Sequence, residues 1–233
     1  MVQVDISLEG IVVIVGNYGS GKTEISVNLA AERRLAGLEV SIADLDLVNP
    51  YFRAREARKQ LAALGIKVIL PADRYLQADL PILSPAVAGL LRRPSGLTIL
   101  DVGGDKVGAT VLASLGDAMK GHPFRMLQVI NPLRPFTDNL SGCMRMKDEI
   151  EQASRMPVSG IIGNANLIDE TTADIIYEGY DFVMEVSHKS CLPLEFITAS
   201  VGLEDEIDRE RFSCPLLVLH RQLVPPWKKA ALL

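Results

Sequence analysis

Short, almost unbroken apolar runs alternate along this chain with longer stretches whose apolar residues recur every three or four positions. IVVIV (11–15), VSIAD (40–44), KVIL (67–70), LTILD (97–101) and FRMLQVI (124–130) carry the first pattern. Runs this short, rich in β-branched residues and without polar alternation, predict strands buried on both faces. KTEISVNLAAERRLAG (22–37), REARKQLAALG (55–65), SPAVAGLLRR (84–93), VGATVLASLGDAMK (107–120) and DNLSGCMRMKDEIEQAS (138–154) carry the second and predict helices. VSGIIGN (158–164), PLEFITA (193–199) and CPLLVLH (214–220) are further strand candidates. Strand alternating with helix predicts an α/β fold, a mostly parallel sheet flanked by helices on both faces. No composition break, low-complexity tract or repeat divides residues 1–233, so a single domain is expected. Two proline-punctuated connections stand out as candidate functional loops, PADRYLQADLPILSP (71–85) and NPLRPFTDN (131–139).

Composition changes that picture little. The chain is 48% hydrophobic and 23% charged, with a formal net charge of -5. A nucleic-acid surface needs a basic stripe, so no nucleic-acid partner is expected. No apolar run reaches the roughly 18 residues of a membrane span. MVQVDISLEG lacks both the basic segment and the apolar core of a secretion signal. The expectation is a cytoplasmic protein without stable membrane insertion. Cys143, Cys191 and Cys214 are far apart, as are His122, His188 and His220, with none of the pair spacings of a zinc or cluster site. Free thiols follow, and Cys143 on a predicted helix reads as core.

The chemistry is carried by GNYGSGKTE (16–24), which fits G-x-x-x-x-G-K-[ST] at Gly16, Gly21, Lys22 and Thr23. It follows a strong strand and opens a helix, where a phosphate cradle must sit. Backbone N–H groups of such a turn point inward around a β-phosphate, aided by the positive end of the helix. Gly16, Gly19 and Gly21 permit the close approach and the unusual dihedrals. Lys22 is expected to bridge the β- and γ-phosphates and Thr23 to donate its hydroxyl oxygen to Mg²⁺. The whole stretch Gly16, Asn17, Tyr18, Gly19, Ser20, Gly21, Lys22, Thr23 and Glu24 is thus the expected nucleotide-contacting segment. A Mg²⁺–triphosphate site also needs carboxylates at neighbouring strand ends. Asp44 and Asp46 follow the second strand in ADLDLVNP, and Asp101 ends the fourth in ILDVGGD. Gly103 and Gly104 behind it would let a backbone N–H approach the γ-phosphate.

GNYGSGKT, then DLD after the second strand, then LDVGGD, resembles the MinD/ParA/CobQ–CobB group of P-loop proteins, within the SIMIBI class that includes the ArsA-type and nickel-insertion ATPases. The resemblance spans roughly residues 10 to 226. It implies ATP and Mg²⁺ as cofactors, Asp44 with Thr23 and Asp101 on the metal side, and Asp46 orienting the attacking water. Switch segments would lie at about 44–53 and about 101–109, with Gly104 in the second. Asn164, at the end of GIIGN, would read the base, and the backbone at Val224 and Pro225 would pass beside it. IGNANL lacks the Asp of an N-K-x-D guanine reader, which favours ATP over GTP.

One departure matters. The MinD and ParA branches carry a lysine at the second motif position, given across a nucleotide-sandwich dimer, and here Asn17 stands there. Arg53, Arg55, Lys106 and Arg134 are the candidate replacements for that cation. The resemblance implies an ATP-driven switch or assembly and maturation factor, a slow ATPase that binds ATP and ADP and works as a homodimer or with a client protein. The alternatives are an ATP-dependent enzyme activating a carboxylate, as in the CobQ–CobB and dethiobiotin-synthase relatives, and a positioning ATPase on membrane or DNA. For the last, PPWKKAALL at the C-terminus is a short, proline-led candidate anchor.

Overall fold

A computed structural model describes residues 6–46, 57–70, 85–104, 106–224 and 230–231, with backbone only for 106, 107 and 109. Its strands are β1 (Gly10–Gly16), β2 (Val40–Asp44), β3 (Lys67–Ile69), β4 (Leu97–Asp101), β5 (Phe124–Ile130), β6 (Gly160–Gly163), β7 (Leu194–Ser200) and β8 (Leu216–Leu219). Between them lie α1 (Lys22–Leu35), α2 (Arg58–Ala63), α3 (Pro85–Arg92), α4 (Lys106–Met119), α5 (Leu140–Ser154) and α6 (Ala173–Ser190). All eight strands form one parallel sheet, ordered β3-β2-β4-β1-β5-β6-β7-β8. The predicted α/β architecture is the observed one.

The apolar runs are explained by what covers the sheet. In β1, Val12 and Ile14 pack with Ile25 and Leu29 of α1 and Leu61 of α2, while Ile11, Val13 and Val15 pack with Leu91 of α3 and Leu112 and Leu115 of α4. Both faces of a strand are therefore dry, and alternation has no reason to appear. A third cluster joins Ile161 and Ile197 of the sheet to Ile176, Tyr180 and Val183 of α6. Burying each such side chain contributes about 1.5–3 kcal/mol.

Two differences from the sequence reading have physical causes. The pattern predicts no element over 165–192, yet α6, at 18 residues, is the longest helix described. Its IIY and FVM triplets put β-branched and aromatic residues side by side and blur the helical period. The caps mark its ends: Thr172 Oγ1 accepts a hydrogen bond from Ile175 N at 3.4 Å, and Cys191 turns left-handed with φ 55°. Two candidate strands of the second half, β6 and β8, are also shorter than predicted, four residues each, while β7 keeps its seven. Asn164 and His220 lie just beyond β6 and β8: Asn164 N still donates to Ile130 O of β5 at 2.9 Å, and His220 N donates to Asn28 Oδ1 of α1 at 2.8 Å.

Parallel order places every strand's C-terminal end on one edge. β1 sits in the middle, between β4 and β5. The chain leaves β1 toward β2 on one side and later reaches β5 on the other, which makes a crevice at that edge the natural ligand position.

Candidate nucleotide-phosphate site

The turn between β1 and α1 is the site's floor. Gly16, Gly19 and Gly21 all have positive φ, at 146°, 70° and 93°. At Gly21 a Cβ would overlap the side-chain amide nitrogen of Asn164, so glycine is required there on two counts. Asn164 is buried; its Nδ2 donates to Ser20 O at 2.6 Å and its Oδ1 accepts from Thr198 Oγ1 at 2.6 Å. The predicted base reader thus braces the turn from below. Within the turn Asn17 O accepts both Ser20 N at 3.2 Å and Lys22 Nζ at 2.8 Å. No side chain caps the start of α1 at Gly21. A helix start without such a cap has the N–H groups and dipole direction that favour an anion.

The carboxylates arrive from the adjoining strands. Asp44 and Asp101 are register partners on β2 and β4, so both side chains project to one face, and both are 1% exposed. That face is the α1 face, because Ser26 Oγ of α1 donates to Asp101 Oδ1 at 3.3 Å. Asp101 Oδ2 is buried without a hydrogen-bond partner among the described residues. Burial pushes the Asp101 carboxyl up to about 6, and the charge of Asp46 adds to this; the Thr23 hydroxyl, the Lys22 ammonium and Ser26 act the other way. Half-buried Asp46 donates its backbone N–H to Asp44 Oδ1 at 3.0 Å. Gly104 closes the site from β4's exit: a Cβ there would lie 2.7 Å from Tyr18 N and 2.8 Å from Lys22 Nζ. Lys22, Thr23, Asp46, Asp101 and Gly104 are therefore brought together, with Asp44 beside them.

On the far side of α1 a clasp holds the chain after β8, and sequence reasoning missed its geometry. Glu24 Oε1 accepts from Gln222 N at 2.6 Å, and Oε2 from Leu223 N at 3.0 Å. Asn28 pairs with the His220 backbone in both directions, at 3.2 and 2.8 Å. Burial raises the Glu24 carboxyl, opposed by those two backbone N–H groups. The stretch expected to pass a base is thereby tied to the first turns of α1. Val224 follows it, half-buried; Pro225 lies outside the described residues.

The loop after β5 is the site's other wall. Asn131 organises it: its Oδ1 accepts from Leu133 N at 3.0 Å, its Nδ2 donates to Asn166 O at 3.0 Å, and its carbonyl takes Thr137 Oγ1 at 2.8 Å. An Asn-Pro pair at a strand end was the available signal for such a turn. Asn17 Nδ2 donates to Pro135 O at 2.7 Å, joining this loop to the phosphate turn. Cys143 is buried in α5, donates its thiol to Thr137 O at 3.4 Å, and is pushed up to about 12 by burial. Of the candidate cations, Arg53, Arg55 and the Lys106 side chain lie outside the described residues, as do most of both expected switch segment 44–53 and loop 71–85. Arg134 is described and lies against the turn.

The geometry matches known folds more than known sequences. No protein-family model and no curated protein sequence matches the chain. Cell division protein FtsY of Thermotoga maritima matches in structure, with a TM-score of 0.57 at 20% identity, over 85% of this chain and 64% of that one. The signal recognition particle receptor FtsY of Elizabethkingia anophelis in complex with GDP gives 0.54 at 17%, over 84% and 59%. The signal recognition particle 54 kDa protein of Aeropyrum pernix K1 in complex with GDP gives 0.54 at 18%, over 80% and 40%. The chain thus spans less than two thirds of each of these proteins, and what it shares with them is the fold of P-loop nucleotide-binding proteins.

Proposed function

We propose that this chain is a Mg²⁺-dependent P-loop nucleoside triphosphatase, ATP-binding, that acts as a nucleotide switch or as an assembly and maturation factor. The observation that carries the reading is a convergence. Lys22 and Thr23 open an uncapped helix, and the buried carboxylate of Asp101, with one oxygen unpartnered, comes to the same spot from the adjoining strand. A buried unpartnered carboxylate oxygen beside a hydroxyl is a donor set for a hard cation. Thr23, with Asp101 and Asp44 directly or through water, would hold Mg²⁺, which when bound offsets charge on the β- and γ-phosphates.

The chain's own groups do the rest. Turn N–H groups and Lys22 fix the phosphates, and Asp46 at the exit of β2 orients water for in-line attack. The Glu24 clasp holds the 220–224 backbone where a base would lie. Gly104 approaches so near Tyr18 and Lys22 that a γ-phosphate would displace or engage it, which couples nucleotide state to the chain behind Asp101. Homodimerisation or a client protein would read that state.

Turnover of Mg-ATP and Mg-GTP by wild type and Asp46→Asn tests this. The reading expects ATP hydrolysis that needs Mg²⁺ and falls about 100-fold in the variant. Equal turnover by the variant would remove the assigned chemistry. GTP is a second reading favoured by the GDP complexes of the structural neighbours, and GTP turnover above ATP turnover would select it.

A further inference from the structure

We propose that Arg134 supplies from within the chain the cation that faces the bound triphosphate, with Asn17 as its positioning residue. This deepens the proposed function and rests on it. Five observations meet at this point. Asn17 Nδ2 holds Pro135 O at 2.7 Å, while its Oδ1 takes Tyr18 N at 2.8 Å, so one amide links the phosphate turn to the residue next to Arg134. The Arg134 backbone is held on both sides: its N–H donates to Asn131 O at 3.2 Å, and its carbonyl accepts Thr137 N at 3.2 Å. The side chain then lies on the turn, with Nε 3.9 Å from where a Cβ at Gly19 would be. Nε is shielded from solvent and has no hydrogen-bond partner among the described residues. Finally, Phe136, two residues on, keeps φ at 72° although the residue is 65% exposed, so the loop accepts strain to hold its course.

A shielded guanidinium donor left unpaired is costly, about 1–3 kcal/mol, unless an anion completes it. The anion this turn is shaped for is a phosphate, and a guanidinium suits phosphate oxygens as a planar fork. Lysine at position 17 would place the cation on the turn itself. Asparagine at 17 instead spends its side chain on fastening the loop that brings an arginine. A cation of this kind offsets charge that builds on the transferring phosphoryl group. Because it belongs to the same protomer, turnover does not require a second copy.

The test uses the full chain and the variants Arg134→Ala, Arg134→Lys, Asn17→Ala and the double alanine variant. Turnover per protomer is measured over a wide range of protein concentration, alongside affinities for ADP and ATP, and for GDP and GTP. Wild-type turnover should be flat with concentration. Arg134→Ala should lower it about tenfold or more and weaken triphosphate binding while leaving diphosphate binding in place. Arg134→Lys should recover part of the loss. Asn17→Ala should lose the same discrimination, and the double variant should be no worse than Arg134→Ala, since Asn17 acts through the arginine. Wild-type turnover in Arg134→Ala, equal loss of di- and triphosphate binding, or a wild-type rate that climbs with concentration would each overturn the role. No nucleotide binding by wild type would instead remove the site, and this role with it.

Discussion

Replacing Asp101 by asparagine removes one of two adjacent buried carboxylates while keeping the side chain's shape. Folding holds the Asp101 carboxyl at about 6, against 3.8 when exposed to water. At about 1.4 kcal/mol per pH unit, that difference means the ionised form costs the folded protein about 3 kcal/mol. The sign follows from linkage: the folded state binds its proton more tightly, so this group's stabilising contribution is present below pH 3.8 and is lost as pH rises through about 6. Asparagine never ionises and escapes the loss. The variant should match wild type near pH 3.5, exceed it by about 1 kcal/mol at pH 4.5, and by about 3 kcal/mol at pH 8. In a domain of this size that is a midpoint about 6–12 °C higher at pH 8. Urea and thermal unfolding followed by circular dichroism, without nucleotide or Mg²⁺, give both quantities. An Asp101→Asn protein less stable than wild type at pH 8, or a gap that does not change with pH, would refute the reasoning. Thr23, Lys22 and Ser26 offset only part of this cost; if the remaining charge serves the proposed Mg²⁺, the stabilised variant should hydrolyse nucleotide at least about 100-fold more slowly.

Gly21→Ala must both adopt a φ of 93° and displace the Asn164 amide; it should lose about 2 kcal/mol or more of stability and nearly all nucleotide affinity, read by unfolding and calorimetric titration. Asn164→Ala removes the bonds to Ser20 O and Thr198 Oγ1. It should cost about 1–3 kcal/mol and weaken all nucleotides together, whereas a pure base reader would shift only the ATP-to-GTP ratio. Glu24→Ala leaves the N–H groups of Gln222 and Leu223 without their carboxylate; those two amides should exchange with solvent about 10-fold faster or more, while the Gly142 amide at the start of α5, held by Asn139 Oδ1, keeps its wild-type protection.

What was legible in the sequence depended on how local its cause was. The glycine turn proposed to hold phosphate declares itself because φ, backbone approach and helix start all act within Gly16–Thr23. Asp44 and Asp101 could be expected near the turn because each closes a dry apolar run and the two follow the glycine motif in chain order; the sheet register then pairs them. The strands were readable because both of their faces are covered. The braces were not. Asn17 meets Pro135 at a separation of 118 residues, and Glu24 meets Gln222 at 198. No periodicity encodes such partners; only the parallel order of the sheet, which gathers all the strand ends on one edge, creates them. Asn164 shows the mixed case: its place beyond β6 was expected, but its grip on Ser20 and Thr198 depends on β6 lying next to β7 and near β1. The helix α6 was missed because Ile175, Ile176 and Tyr177 read as strand-like when their cap at Thr172 is overlooked.

Lys22 and its turn are proposed to bind the phosphates of a Mg-nucleotide. Calorimetric titration of wild type and Lys22→Ala with ATP and with GTP, with and without Mg²⁺, addresses it most directly. Binding should depend on Mg²⁺, fill one site per chain, be tighter for ATP, and be at least about 100-fold weaker in Lys22→Ala. Wild type that binds neither nucleotide, or a Lys22→Ala protein that binds as well as wild type, would contradict it.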